Sequence, residues 1–346
     1  MQTNFSYVLG VDCSSESFTA TLRLDPKTHA EGDQSTQSFG TRDFSNSIDG
    51  VDALLEALKR LPVALDSVLF AVENTGVYSA TICHRLTEQG CRVSLIAPQH
   101  IKQATSPGAK TDAIDAARVC EYAWRYSDRL KLWQPRQELS EQLSTLLITR
   151  DQLVKTKTSH RNTLTALKRR PVRTKAAEKI HASLVRSVEK QIKGVEREIQ
   201  RLIDSDEDLS RGVRLLLSVP GIGLMAAATL AAMSDCFTTE LRYRPLAAHL
   251  GIVPHPHMSG TSVRGPARSR GYGPLRLRLL LRLAAWSQKK NNPEISRYYE
   301  RKKAEGKAST LIFNNIANKI LRRAIGTLKS GQSFSPEYLG ERIAAA

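Results

Sequence analysis

The sequence predicts an α/β N-terminal domain, a helical coiled-coil-like linker and a mainly α C-terminal domain. Three observations predict it. Over the first third, short apolar runs ending in turns alternate with runs of helical period; in the middle, Leu, Val and Ile recur at steps of three and four; in the last third, helix-compatible runs are separated by Pro/Gly turns. The boundaries fall at 1–133, 134–210 and 211–346. With 346 residues the chain has room for a substantial core. Its formal charge of +17 is lopsided, −3 over residues 1–150 and +20 over 151–346. A basic half joined to a mildly acidic one suits a polyanion partner for the former and separate work for the latter. No apolar run approaches the roughly 18–20 residues of a membrane span, and the N-terminus lacks a signal-peptide pattern. Cys13, Cys83, Cys91, Cys120 and Cys236 are scattered, with no C-x-x-C pair, and read as reduced thiols of a cytosolic protein.

In chain order, Tyr7–Asp12 is an apolar strand ending on a carboxylate. Phe18–Leu24 alternates as a second strand, and Gln34–Phe39 is the expected third. Val51, Leu54, Leu55, Leu58 and Leu61 have helical spacing. Ser67–Glu73 is another apolar strand ending on a carboxylate, followed by the turn Asn74-Thr-Gly-Val-Tyr78 and a helix to about Gly90. Arg92–Ala97 is a further buried strand. After Pro107-Gly108, an Ala-rich helix carries Asp112 and Asp115 and runs to Trp124. Three strands, then alternating helices and strands, with acids at two strand ends and on a late helix, is a ribonuclease-H-like order.

Taken locally, Asp112 caps its helix and Asp115 sits in the first turn, where the macrodipole favours each by about 0.3–1 kcal/mol. Taken together, the four acids say more. Ligands of α/β sheets gather beyond the carboxyl ends of strands, where Asp12 and Glu73 stand. Asp112 and Asp115, three apart on one helical face, can reach them. Converging carboxylates repel unless a cation joins them, and Mg²⁺ prefers carboxylate and phosphate oxygens.

Trp133-Gln-Pro135 marks the exit from this domain. Leu139, Leu143, Leu146, Leu153, Leu164 and Leu167 form one seam, and Arg169-Arg170-Pro171 breaks it. Val185, Val188, Ile192, Val195, Ile199 and Leu202 form a cleaner second one. An antiparallel helical pair and an oligomerising coiled coil need the same pattern. Lys168, Arg169 and Arg170, amid other basic residues of the first run, are either a solvated face or phosphate contacts.

Pro220-Gly-Ile-Gly223 between two helix-forming runs is a helix-hairpin-helix signature, in which Gly221 and Gly223 let backbone N–H groups meet a phosphate; a tight αα-turn reads the same way. His255 and His257 lack metal-ligating neighbours and read as surface loop histidines. Ser259 lies in a Gly-rich turn beside Arg264, with Arg268 and Arg270 close behind. A serine there ordinarily caps or turns the chain, since no base is fixed beside it. Arg276, Arg278 and Arg282 line a helix suited to phosphate; Arg297–Lys307 is a further basic run, and Ile312–Leu328 a closing helix.

These residues resemble the DEDD transposases of the insertion-sequence one-hundred-ten and eleven-eleven groups. The resemblance rests on Gly-Val-Asp12, Glu73-Asn-Thr-Gly-Val-Tyr78, Lys110-Thr-Asp112-Ala-Ile-Asp115, Ser218-Val-Pro-Gly-Ile-Gly223, Leu246-Ala-Ala-His-Leu-Gly-Ile-Val-Pro254 and Ser259-Gly-Thr-Ser-Val-Arg-Gly265, in order along nearly the whole chain. It implies a RuvC-like domain whose acids are Asp12, Glu73, Asp112 and Asp115, and a C-terminal transposase domain whose catalytic serine is Ser259. It implies Mg²⁺ as cofactor, DNA cut and rejoined through a serine–DNA ester, and a structured bridge RNA encoded by the element as guide. It also implies dimers pairing into a tetramer, in a prokaryotic, nucleoid-associated setting. Ser269-Arg270-Gly271 departs from the Ser-Lys common among relatives but keeps the charge. Beside this stand a metal-dependent nuclease or junction resolvase with Ser259 structural, and a non-catalytic nucleic-acid-binding protein.

Overall fold

Alternation along the first strand fixes which residues face which layer. In a computed structural model describing residues 5–24, 39–104, 111–259, 263–269 and 273–335, Tyr7, Leu9, Val11 and Cys13 of β1 (Tyr7–Cys13) enter one buried cluster, and Val8 enters another on the opposite face. The period of two in a strand produces that division. The chain forms two compact units, Met1–Pro135 and Arg136–Ala346.

The first unit is built on a five-stranded sheet in the order β3-β2-β1-β4-β5. Here β2 is Ser17–Leu24, β3 Thr41–Ser45, β4 Val68–Glu73 and β5 Arg92–Ile96. β1, β2 and β3 pair antiparallel, whereas β1, β4 and β5 pair parallel. Helices α1 (Ile48–Lys59) and α2 (Val77–Glu88) contribute Val51, Leu54, Leu55, Leu58, Ile82 and Leu86 to one cluster. Helices α3 (Pro98–Ala104) and α4 (Asp112–Arg125) contribute Ile101, Val119, Cys120 and Ala123 to the other. Buried apolar faces of this kind contribute about 25 cal/mol per Å² removed from water.

The third strand is a correction. It was expected at Gln34–Phe39, but residues 34–38 lie outside the described set, and the strand paired with β2 is Thr41–Ser45. Its side chains are mostly exposed. An exposed edge strand has little apolar pattern to read, and its ties are polar: Thr19 donates to Asp43 at 2.5 Å, and Thr21 and Thr41 hydroxyls meet at 3.0 Å. Stacking of Phe18 on Phe44, 5.3 Å between centroids, supplies the apolar contact.

In the second unit, α5 (Glu138–Lys168) and α6 (Lys175–Asp204) pack against each other as an antiparallel hairpin within one chain. Arg150 donates to Glu196 at 2.6 Å, and Lys157 lies 3.9 Å from Glu189. Only the near end joins a buried core: Leu143, Leu147, Ile199, Leu202 and Ile203 pack with α7 (Glu207–Leu217), α8 (Leu224–Met233), α9 (Tyr243–His249), α10 (Leu275–Asn291), α11 (Pro293–Ala304) and α12 (Ser309–Ser330).

This mainly helical unit also contains a β-hairpin where loops were expected. Pro254–Ser259 is β6 and Val263–Ser269 is β7, paired antiparallel with an irregularity between His255 and His257. Pro254, Pro256 and Pro266 argue against strands, yet a two-stranded ribbon has an unpaired edge on each side where a missing N–H costs nothing. No helix among the described residues is long and apolar enough to cross a membrane.

Candidate active site and nucleic-acid surfaces

In the parallel register Val11 lies opposite Val72, so Asp12 and Glu73 follow on adjacent strand ends. Alternation puts Asp12 on the same face as Val8 and Gly10, and Glu73 on the face of Leu69 and Ala71. That is the face covered by α4. Gly10 explains how closely α4 lies: a Cβ there would stand 2.4 Å from the Ala116 carbonyl oxygen and 2.4 Å from the Cys120 nitrogen. The Cys120 thiol donates to the Val8 carbonyl at 3.2 Å. Ala116 follows Asp115, so the contact that requires glycine also sets the acidic first turn of α4 beside β1.

Thr111, not Asp112, caps that helix. Its extended backbone and its hydroxyl, which accepts from Ile114 N–H at 3.3 Å, satisfy the N-cap geometry. Asp112 is the first helical residue, exposed and favourably placed in the dipole. Asp115 is half-buried and pairs with Arg118 at 2.9 Å.

Electrostatics ties the four acids together. Asp12 is pushed up to about 6 by burial first, then by Glu73, Asp115 and Asp112, against the lowering effect of the Cys13 N–H. Two separated stretches of sequence therefore act on the carboxyl of a third. Among the described residues no group of three or more His, Cys, Asp or Glu closes around a point as a finished metal site. The carboxylates share a field without enclosing a centre. The donor set nevertheless fits a hard divalent cation such as Mg²⁺: all donors are carboxylate oxygens, and a cation relieves the repulsion that Glu73, Asp115 and Asp112 add to burial in raising Asp12.

Cys13, Cys83 and Cys120 are pushed to about 12 by burial and stay protonated thiols, Cys120 on the face of the acids and Cys13 and Cys83 in the cluster on the other face of the sheet. All five cysteines are free and buried.

Ser259 lies in the other unit. It is the last residue of β6, opposite Val263, and the expected Gly-rich turn after it, residues 260–262, lies outside the described residues. Arg264 stands opposite Met258 and Arg268 opposite His255, while Arg270 lies outside the described residues. Lys168, Arg169 and Arg170 are exposed at the end of the α5–α6 hairpin. Gly221 (φ 97°) would bring a Cβ 3.2–3.4 Å from Gln288, Ala284 and Ile320, so it lets the α7–α8 turn pack against α10 and α12. Gly223 is the N-cap of α8 and has open space at its Cβ position.

Arg276 is not on an open phosphate-binding face. Only 12% of its side chain is exposed, and it pairs with Asp151 of α5. Burial, and secondarily the Arg150 charge, lowers its guanidinium to about 10. Arg278, on the same helix, is half-exposed. Sequence reasoning missed Gly10, Thr111 and Arg118. Thr111 was legible as a Thr immediately before a helix start, whereas Gly10 stands in the Gly-Val-Asp12 motif with nothing local to show the helix it must admit.

Comparison with known proteins adds the family. Residues 9–169 match the model of the DEDD transposases of IS110, and residues 213–300 match the transposase IS116/IS110/IS902 family. The chain belongs to the IS110 transposase family. The first of these matches contains all four acids and the second contains Ser259. Among relatives of this IS110-family chain, the transposase for insertion sequence element IS1328 of Yersinia enterocolitica is 26% identical over 295 residues, 73% of this chain and 82% of the relative. A probable family 20 transposase of Pseudomonas aeruginosa is 31% identical over 221 residues, 56% and 64% of the two chains. An insertion element IS110 uncharacterized 43.6 kDa protein of Streptomyces coelicolor is 29% identical over 153 residues, 44% of this chain and 36% of the relative. The match thus spans little more than a third of the Streptomyces protein.

Proposed function

We propose that this chain is the transposase of an insertion sequence, cutting and rejoining DNA by phosphodiester transesterification. Asp12 carries the reading: its carboxyl is raised by burial and by Glu73, Asp115 and Asp112 at once, which suits a site built for divalent cations. The sheet order, antiparallel then parallel with acids at the ends of the two central strands, supports a RuvC-like, ribonuclease-H-like domain. Asp12, Glu73, Asp112 and Asp115 would hold Mg²⁺, which when bound polarises phosphate and stabilises charge on attacking and leaving oxygens.

Ser259 is the nucleophile in this reading. Its hydroxyl oxygen bonds to phosphorus and displaces one bridging DNA oxygen, giving a serine–DNA ester; attack by a second DNA hydroxyl then releases the serine and completes rejoining. Its proton passes to solvent or to an acid of the first unit, and the exposed Lys168, Arg169 and Arg170 hold backbone phosphates. A structured RNA from the element selects donor and target by base pairing, and the protein reads shape and backbone. Copies of the chain pair as dimers and then a tetramer, so that acids and serine from different protomers meet.

The test uses purified full-length protein with element-end DNA, the adjacent transcribed RNA and Mg²⁺. Ser259→Ala and Asp115→Ala should each abolish strand cleavage. Cleavage retained by Ser259→Ala favours a metal-dependent nuclease with a structural serine. No cleavage by the wild type, with nucleic-acid binding unchanged in both variants, leaves only nucleic-acid binding.

A further inference from the structure

About two turns from the connecting turn of the α5–α6 hairpin, two histidines converge from opposite helices. His160 Nδ1 and His181 Nδ1 are 3.2 Å apart, with ring centroids 5.2 Å apart and planes inclined by 51°. Both are half-buried between the helices. As neutral rings they share one proton, one Nδ1 donating and the other accepting. Two imidazole nitrogens bound to one tetrahedral zinc ion at about 2.0–2.1 Å stand about 3.3–3.4 Å apart. The observed separation is already close to that.

We propose that His160 and His181 form a two-histidine clamp for a borderline divalent transition metal of the zinc class, fastening the outer part of the hairpin. Binding moves the shared proton from Nδ1 to Nε2 of the donor ring, so both Nδ1 lone pairs become available without net deprotonation. The surroundings permit a cation: Lys157, one turn before His160, faces Glu189, and Arg173 is held by Glu178, one turn before His181. Nitrogen donors set the clamp apart from the all-oxygen acid site and favour zinc or nickel over magnesium. The hairpin has a use for such a link, because α5 has no buried residue beyond Leu147. Water fills the remaining coordination positions.

The probe is zinc chloride, dialysed against the full chain in excess Mg²⁺ at pH 7.5. The wild type should bind about one zinc per chain more than His160→Gln or His181→Gln, with apparent affinity about tenfold or more weaker in either variant. His84→Gln, altering a histidine packed on Trp133, should match the wild type. Circular dichroism confirms that the variants remain helical. Independently of any variant, zinc but not Mg²⁺ should slow amide exchange around residues 157–164 and 178–185. Equal zinc uptake by wild type and both histidine variants overturns the proposal, as does exchange in these segments that zinc leaves unchanged.

Discussion

Asp12 is held closer to neutrality than an ordinary aspartate by its burial and by three other acids, so its charge opposes folding in the absence of metal. The sign follows from linkage. Its folded value of about 6 lies above the unfolded one near 3.9, so the native state binds the proton more tightly. Stability is therefore highest below about pH 4 as far as this group is concerned, falls as pH rises through about 6, and then levels. Asp12→Asn should stabilise the metal-free protein at pH 7 by about 1–2 kcal/mol, after allowance for solvent screening, with no gain near pH 4. Thermal unfolding at the two pH values checks this, and Mg²⁺ should narrow the gap at pH 7 by stabilising the wild type alone. Asp12 and Glu73 were legible as acids closing apolar strands, and Asp112 and Asp115 as neighbours on one helical turn. The burial of Arg276 against Asp151 was not legible, because a basic residue on a helix looks the same in sequence whether it faces solvent or a carboxylate on α5.

At the scale of elements, the contact between α4 and β1 positions the acids. Gly10→Ala places a methyl 2.4 Å from backbone atoms of α4, so the helix must shift. The expected cost is about 1–3 kcal/mol, with loss of cleavage although all four acids remain. Cleavage at the wild-type rate in a folded Gly10→Ala protein contradicts the positioning argument. Nothing in the local sequence shows this need, because the backbone that Gly10 must admit comes from residues more than a hundred positions away. The α5–α6 hairpin is graded along its length: Leu143 is fully buried, whereas Leu164 is half-exposed. Leu143→Ala should cost about 2–5 kcal/mol and Leu164→Ala clearly less, measured by denaturant unfolding. The heptad spacing was visible in the sequence, but pairing within one chain depends on which surfaces the turn at Arg169–Thr174 brings together. β6 and β7 were hidden by prolines that a two-stranded ribbon tolerates at its edges.

For the whole molecule, division of labour between a mildly acidic first part and a strongly basic remainder predicts salt-sensitive nucleic-acid binding. Replacing Lys168, Arg169 and Arg170 together by Ala should weaken binding to all sequences alike. It should also flatten the slope of log affinity against log salt by about 0.9 for each duplex phosphate that these side chains no longer neutralise. A shift in sequence preference instead would assign these residues to base reading. The central claim is that acids of one unit and Ser259 of the other serve one phosphoryl-transfer reaction. Its most direct measurement is peptide mapping by mass spectrometry of the full chain after incubation with element-end DNA, adjacent RNA and Mg²⁺. The account predicts a nucleotide-bearing peptide modified at Ser259 that is absent from Asp115→Ala; cleaved DNA with Ser259 unmodified, while the reaction is under way, would contradict it.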